Sequence, residues 1–183
     1  MTRMPPLTSP ASRPGREPVT AVVALGSNLG DRRAIIDRAI ERISRLPLVE
    51  NVQLSEVFET VAVRVDGPDP DAPGYVNAVA LVITRLDPQI LLGMLHAIED
   101  ENGRERHERW GDRTLDLDLI TYGDVISDEP TLLLPHPRAA ERLFVLEPWL
   151  SVAPDAEIPG LGKVADLAAR LRADAGNDGP DGI

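Results

Sequence analysis

The sequence predicts an α+β fold, a ferredoxin-like β-α-β-β-α-β core with C-terminal additions. Apolar runs of strand length fall at residues 19–25, 52–60, 75–84 and 115–121. Two stretches with apolar residues three and four apart separate the first run from the second and the third from the fourth. The 183 residues contain no internal repeat and no linker that would divide them into two domains.

Each element has a local reason. VTAVVAL at 19–25 is a buried-type strand bounded by Gly26, and GSNLGD then turns the chain. Residues 31–46 place Ile35, Ile36, Ala39, Ile40 and Ile43 on one helical face. Val52, Leu54 and Phe58 form a second strand ending near Thr60. Residues 61–74, rich in Pro, Gly and Asp, read as a long loop. Residues 75–84 make the third strand. Asp87-Pro88 opens a second helix, with Asp as cap and Pro in the first turn, and Leu91, Leu95 and Ile98 face inward. Residues 103–113 are polar, and 115–121 form the fourth strand. A short helix at 137–142 and a longer one at 163–172, with Val164, Leu167 and Leu171 inward, complete the chain. In this topology both core helices cover one sheet face, which leaves the other free to carry a site.

Composition narrows the function. The chain is 43% apolar but only 3% aromatic, so the core is aliphatic. The absence of cysteine excludes disulfides, zinc-thiolate sites and thiol nucleophiles, and fits a cytoplasmic protein. A net charge of −11 argues against nucleic acid as a partner. No apolar run is long enough to span a bilayer, and the N-terminus lacks the apolar stretch of a secretory signal. Residues 1–18 read as a disordered leader, 19–173 as a single domain and 174–183 as a disordered tail.

The strongest chemical signal is Arg113-Thr114-Leu115-Asp116-Leu117-Asp118-Leu119. On a strand, Asp116 and Asp118 point one way and the leucines the other. Two carboxylates ~7 Å apart along a strand can hold hard cations such as Mg²⁺, which takes few carboxylates and completes its shell with water and phosphate. Alone, D-x-D also describes a solvated strand face. Just upstream, Arg104, Arg106, Arg109 and Arg113 surround Trp110, and guanidinium forks suit a polyphosphate. Arginines beside paired carboxylates form a clamp for phosphoryl transfer. The interleaved acids Glu105, Glu108 and Asp112 equally fit a solvated loop.

Other candidates are weaker singly. The 26–30 turn can offer backbone N–H groups to an anion, but it lacks the lysine and spacing of a Walker A loop. Tyr75 and Asn77 share a strand face, and Asn can read a heterocyclic amide edge. Trp110 and Phe144 are possible stacking surfaces. Glu99 ends the second helix, where an ordinary exposed carboxylate is also expected. His136, between Pro135 and Pro137, can donate to a phosphate or simply hold a loop.

In this order the pieces resemble the 6-hydroxymethyl-7,8-dihydropterin pyrophosphokinase family of folate biosynthesis. GSNLG, Arg109-Trp110-Gly111 with Arg113-Thr-Leu-Asp116-Leu-Asp118, and Pro135-His136-Pro137 carry the resemblance over residues 19–148. It implies transfer of diphosphate from the co-substrate ATP to the pterin hydroxymethyl group, with release of AMP. Asp116 and Asp118 would bind two Mg²⁺ ions. Glu99, Arg104, Arg106, Arg109, Arg113, His136 and Arg142 would serve ATP, with Arg106 and Arg109 assisting the chemistry. Tyr75 and Phe144 would sandwich the pterin, Trp110 would close over it, and Thr60 and Asn77 would read its polar edge. A monomer is expected. The family often has proline where this chain has Val61, and the 61–74 loop looks longer and more acidic than in common members. Two rivals remain on the residues alone: another two-metal nucleotide enzyme on a ferredoxin-like core, such as a cyclase or polymerase palm, and a non-catalytic binding module.

Overall fold

The computed structural model of the chain describes residues 16–60, 62–64, 67–69, 74–102 and 114–177. Strand β1 (Val19–Ser27) leads into helix α1 (Arg32–Ser44), whose first turn is capped by Asp31 accepting from the Ala34 N–H at 3.1 Å. Strands β2 (Val49–Leu54) and β3 (Phe58–Thr60) follow, then the short ladder of β4 (Ala62–Arg64) and β5 (Gly67–Asp69). Strand β6 (Tyr75–Thr84) precedes helix α2 (Pro88–Glu101), capped by Asp87, which accepts from the Gln89 N–H. Strand β7 (Asp116–Tyr122) and a hairpin of β8 (Ser127–Glu129) and β9 (Leu132–Leu134) come next. A 3₁₀ turn (Ala139–Glu141) then joins helix α3 (Leu143–Val152). A small ladder of β10 (Glu157–Ile158) and β11 (Gly162–Lys163) leads to helix α4 (Val164–Asn177).

The main sheet runs β2-β6-β1-β7, antiparallel throughout, with β3 extending β6 beyond β2. This is the ferredoxin-like order expected from the sequence. The expected second strand is in fact two. Ser55 interrupts it, donating its N–H to the Val79 carbonyl while its hydroxyl accepts from the Val79 N–H. The side chain thus replaces a ladder bond where the backbone turns from β2 to β3.

Alternation places two cores on opposite faces of the sheet. On one face Ala21, Val23, Leu25, Val76, Ala78, Ala80, Val82, Leu117 and Leu119 pack against Ile36, Ile43, Leu91 and Leu95 of α1 and α2. On the other, Val22, Val79 and Ile120 pack against Val145, Leu146 and Trp149 of α3 and Val164 and Ala168 of α4. The expectation of a free second face is therefore corrected. Among the described residues, the C-terminal helices cover one half of it and leave uncovered the end bearing Asp116 and Asp118. Ile120 is an extra residue opposite the Val22–Val23 step. It sits at the boundary between the open and covered halves.

The ends of the chain also differ from expectation. Residues 16–18 are part of the described structure. Arg16 bonds the Asp87 carboxylate at 2.8 Å and lies 5.5 Å from the Tyr122 ring centroid. Helix α4 continues to Asn177, beyond the expected boundary at 173, because ADAG carries no proline to end it.

Candidate active site

One row of residues crosses the open end of the sheet. Asp116 of β7 pairs with Gly26 of β1, Gly26 with Asn77 of β6, and Asn77 with Phe58 of β3. Two strand spacings thus separate Asn77 from Asp116, ~10 Å. Gly26 makes the middle of the row flat. A Cβ there would lie 3.6 Å from Asn77 Oδ1 and 3.9 Å from Asp116 Cβ. The 26–30 segment is consequently not all turn. Gly26 and Ser27 belong to β1, and only Gly30, at φ +64°, needs glycine's left-handed freedom. Ser27 is buried and donates to the Thr114 carbonyl at 2.6 Å, tying the end of β1 to the start of the acidic strand.

Asp116 and Asp118 share the open face, as alternation requires, and are partly exposed. Arg142 Nη1 lies 3.2 Å from Asp118 Oδ2, and His136 Nε2 lies 3.9 Å from Asp118 Oδ1. Burial holds the His136 ring below its ordinary range, opposed by the Asp118 charge. Its Nδ1 accepts from the Arg138 N–H at 3.2 Å, so the neutral ring carries its proton on Nε2, facing the carboxylates. Arg142 also lies 5.6 Å from the Phe144 ring centroid. Phe144, in the first turn of α3, is 39% exposed although it is a large apolar side chain.

At the other end of the row, Asn77 is 6% exposed, and its Nδ2 donates to Thr60 Oγ1 at 2.9 Å. Its Oδ1 is left over the flat centre at Gly26. Tyr75, two residues away on the same strand face, pairs with Thr60. Arg32 Nη1 donates to the Gly74 carbonyl at 2.5 Å, and a Cβ on Gly74 would meet the Thr60 carbonyl at 2.8 Å. Thr60 and Gly74 therefore form a tight neck.

The fold thus brings together Asp116, Asp118, His136, Arg142, Phe144, Asn77, Thr60 and Tyr75 at one sheet end. Glu99 is not in that open group. It is 1% exposed on α2, and its Oε1 accepts from the Leu117 N–H at 2.8 Å. The expected exposed carboxylate is not observed, because α2 packs this face of the helix against β7. Arg104, Arg106, Arg109, Trp110 and Arg113 lie outside the described residues. The sequence marks Gly26 only as the boundary of the first strand and the start of the 26–30 turn, not as the flat centre of this row, and it does not mark Arg32. A glycine at the next-to-last position of a strand is the available signal for the first, while nothing local marks the second.

Among the described residues no group of three or more His, Asp or Glu side chains converges on a common point. Two partly exposed carboxylates on one strand face fit Mg²⁺, an all-oxygen ion that uses few protein ligands and completes its shell with water and substrate.

The profile of the 7,8-dihydro-6-hydroxymethylpterin-pyrophosphokinase family matches residues 22–154. The chain is 42% identical over 147 residues to a 2-amino-4-hydroxy-6-hydroxymethyldihydropteridine pyrophosphokinase of Pseudomonas aeruginosa, covering 80% of this chain and 88% of the relative. It is 40% identical over 153 residues to the enzyme of the same name from Haemophilus influenzae, covering 84% and 93%. Among solved structures, wild-type Plasmodium falciparum HPPK-DHPS with pteroate superposes with a TM-score of 0.67 at 13% identity. The match covers 91% of this chain and 45% of that one, so this chain spans a little under half the length of that longer protein.

Proposed function

Because this chain belongs to the 7,8-dihydro-6-hydroxymethylpterin-pyrophosphokinase family, it transfers diphosphate from ATP to the hydroxymethyl group of 6-hydroxymethyl-7,8-dihydropterin in folate synthesis, releasing AMP, and we infer that it does so at the open end of the second sheet face. The observation that carries this placement is the row Asp116–Gly26–Asn77, which sets paired acids two strands from a buried amide. Family membership displaces the cyclase-type and binding-module readings.

Each group in the row has a task. Thr60 occupies the Asn77 amine, so the Asn77 carbonyl oxygen faces the flat centre as an acceptor for the donor edge of the pterin. Tyr75 and Phe144 bracket the ring, with Trp110 over it. Asp116 and Asp118 would hold two Mg²⁺ ions, which would supply charge neutralisation on the phosphates and Lewis-acid polarisation when bound with ATP. His136 presents its Nε2–H, and Arg142 its guanidinium, to phosphate oxygens beside Asp118. Arg104, Arg106, Arg109 and Arg113 complete the clamp, with Arg106 and Arg109 stabilising charge that develops at the β-phosphorus. The hydroxymethyl oxygen, a weak neutral nucleophile, gains chiefly from alignment and exclusion of water.

A single chain supplies every group in this reading, so a monomer suffices. Among the described residues no helix is long and apolar enough to cross a membrane. The net charge of −11 disfavours a nucleic-acid partner.

Phosphorus NMR of the protein with MgATP and the pterin tests the reaction. Attack at the β-phosphorus yields AMP with the diphosphate carried on the pterin. Pterin-dependent ADP, or inorganic diphosphate formed without pterin, would overturn it.

A further inference from the structure

Glu99 is a carboxylate at 1% exposure, outside the open site, and the chemistry above does not use it. A carboxylate withdrawn from water is sustained only by hydrogen bonds or opposite charge. One partner is a single backbone amide, the Leu117 N–H, which donates to Glu99 Oε1 at 2.8 Å in a buried contact. Leu117 is the residue between Asp116 and Asp118. Its side chain is 1% exposed in the core beneath the sheet, while its neighbours' carboxylates face the opposite side. Among the described residues strand β7 ends the sheet, so its outer amides bond no neighbouring strand of that sheet. At the one outer amide that lies between the two acids, α2 supplies an oxygen in place of a strand carbonyl. Helix α2 is in turn held by Leu91, Leu95 and Ile98, all at 2% exposure or less.

We propose that Glu99 is a positioning residue for the paired acids: its carboxylate oxygen holds the 116–117 peptide plane and so sets the direction of the Asp116 and Asp118 side chains. The proposal rests on the reading of those two acids as cation ligands. Outer groups that orient ligands affect metal binding at a distance from the ion, with losses of roughly 10–100-fold when removed.

Two conservative variants separate this role from simple packing. Glu99→Gln keeps an oxygen acceptor and removes the charge, while Glu99→Asp keeps the charge and withdraws the oxygen by one methylene. The readouts are Leu117 amide hydrogen exchange by NMR, and Mn²⁺ affinity by electron paramagnetic resonance with a non-hydrolysable ATP analogue present. Glu99→Asp is expected to speed Leu117 exchange and weaken Mn²⁺ binding by about 10-fold or more, with pterin affinity unchanged. Glu99→Gln is expected to keep both near the native values. Native Mn²⁺ affinity in Glu99→Asp, or equal losses in both variants, would overturn the proposal. Asp116→Asn is measured alongside. If that variant also binds Mn²⁺ normally, the cation-ligand reading itself fails. If it alone loses Mn²⁺, only the role of Glu99 does.

Discussion

The Arg142 guanidinium is paired with the Asp118 carboxylate at 3.2 Å while also lying over the Phe144 ring, so one cation touches both an acid of the pair and an exposed aromatic ring. Both partners are only partly exposed, at 21% and 32% of their side chains. Arg142 therefore occupies charge on Asp118 that a bound cation would otherwise take. We expect Arg142→Ala to have opposite effects on two ligands. Nucleotide-free protein should bind Mn²⁺ more tightly. ATP affinity should fall by about 1.5–3 kcal/mol, roughly 10–150-fold, through loss of a charge-assisted contact. Isothermal titration with each ligand separately checks the pair of signs.

Asp116→Asn and Asp118→Asn should each reduce turnover by at least ~100-fold, the upper end of what loss of even an outer-shell partner costs. Both side chains are partly exposed, so the fold should survive, as circular dichroism would report. Turnover is to be followed through a Mg²⁺ titration. Near-native rates at ordinary Mg²⁺ would remove that residue from the metal assignment.

Arg106→Ala and Arg109→Ala should slow the chemical step more than they weaken pterin binding. Their guanidinium groups are assigned to phosphate charge, whereas the ring is assigned to Tyr75, Asn77 and Phe144. Single-turnover rates and pterin fluorescence titration separate the two. Lost pterin affinity with an unchanged single-turnover rate would mean the sites are exchanged.

Two glycines should respond differently. A Cβ on Gly26 meets only ordinary contacts, at 3.6 and 3.9 Å, so Gly26→Ala should fold normally while Gly26→Val crowds the row and raises the pterin KM. A Cβ on Gly74 meets the Thr60 carbonyl at 2.8 Å, and backbone must shift to accept it. Gly74→Ala should cost about 1–3 kcal/mol in stability. Urea unfolding and steady-state kinetics on the three variants distinguish a substrate effect from a folding effect.

At the far end of the sheet the Arg16 hydrogen bond holds the Asp87 carboxyl below its ordinary value of 3.8. A depressed carboxyl stabilises the fold above its unfolded pKa, and that contribution is lost as pH falls through the folded value. Arg16→Ala should therefore lower stability slightly at pH 7, with the difference from native protein vanishing as pH falls through the lowered folded value. Both groups are nearly half exposed, so the effect should be under ~1 kcal/mol and salt-sensitive. A pH series of thermal melts at two salt concentrations measures it.

Much of this site was legible in the sequence for identifiable reasons. Asp116 and Asp118 declare a shared face because strand periodicity is two, and the flanking leucines require burial on the other side. Tyr75 and Asn77 are legible by the same rule. Helix α3 was not, because LFVLEPWLSV is apolar on nearly every side and contains Pro148, which reads as a breaker. The segment is helical because the sheet, β3 and α4 surround it, a tertiary cause with no local trace. Without α3 the covering of half the second face could not be foreseen. The burial of Glu99 is not legible, because a helix-end carboxylate looks exposed until its partner strand is placed. Arg32, at the first position of α1, acquires its role only from a carbonyl 42 residues away.

The neck at Thr60 and Gly74 makes the excursion between those residues a removable part. Its two ends are joined by β3–β6 pairing and by Arg32 regardless of what lies between them. For such a closed loop a doubling of length costs only about 0.6 kcal/mol. Insertions, deletions and transplants confined to residues 61–73 should consequently leave the sheet intact. Chimeras carrying this stretch from other pyrophosphokinases would then compare substrate preference on one constant scaffold, with melting temperature as an internal control.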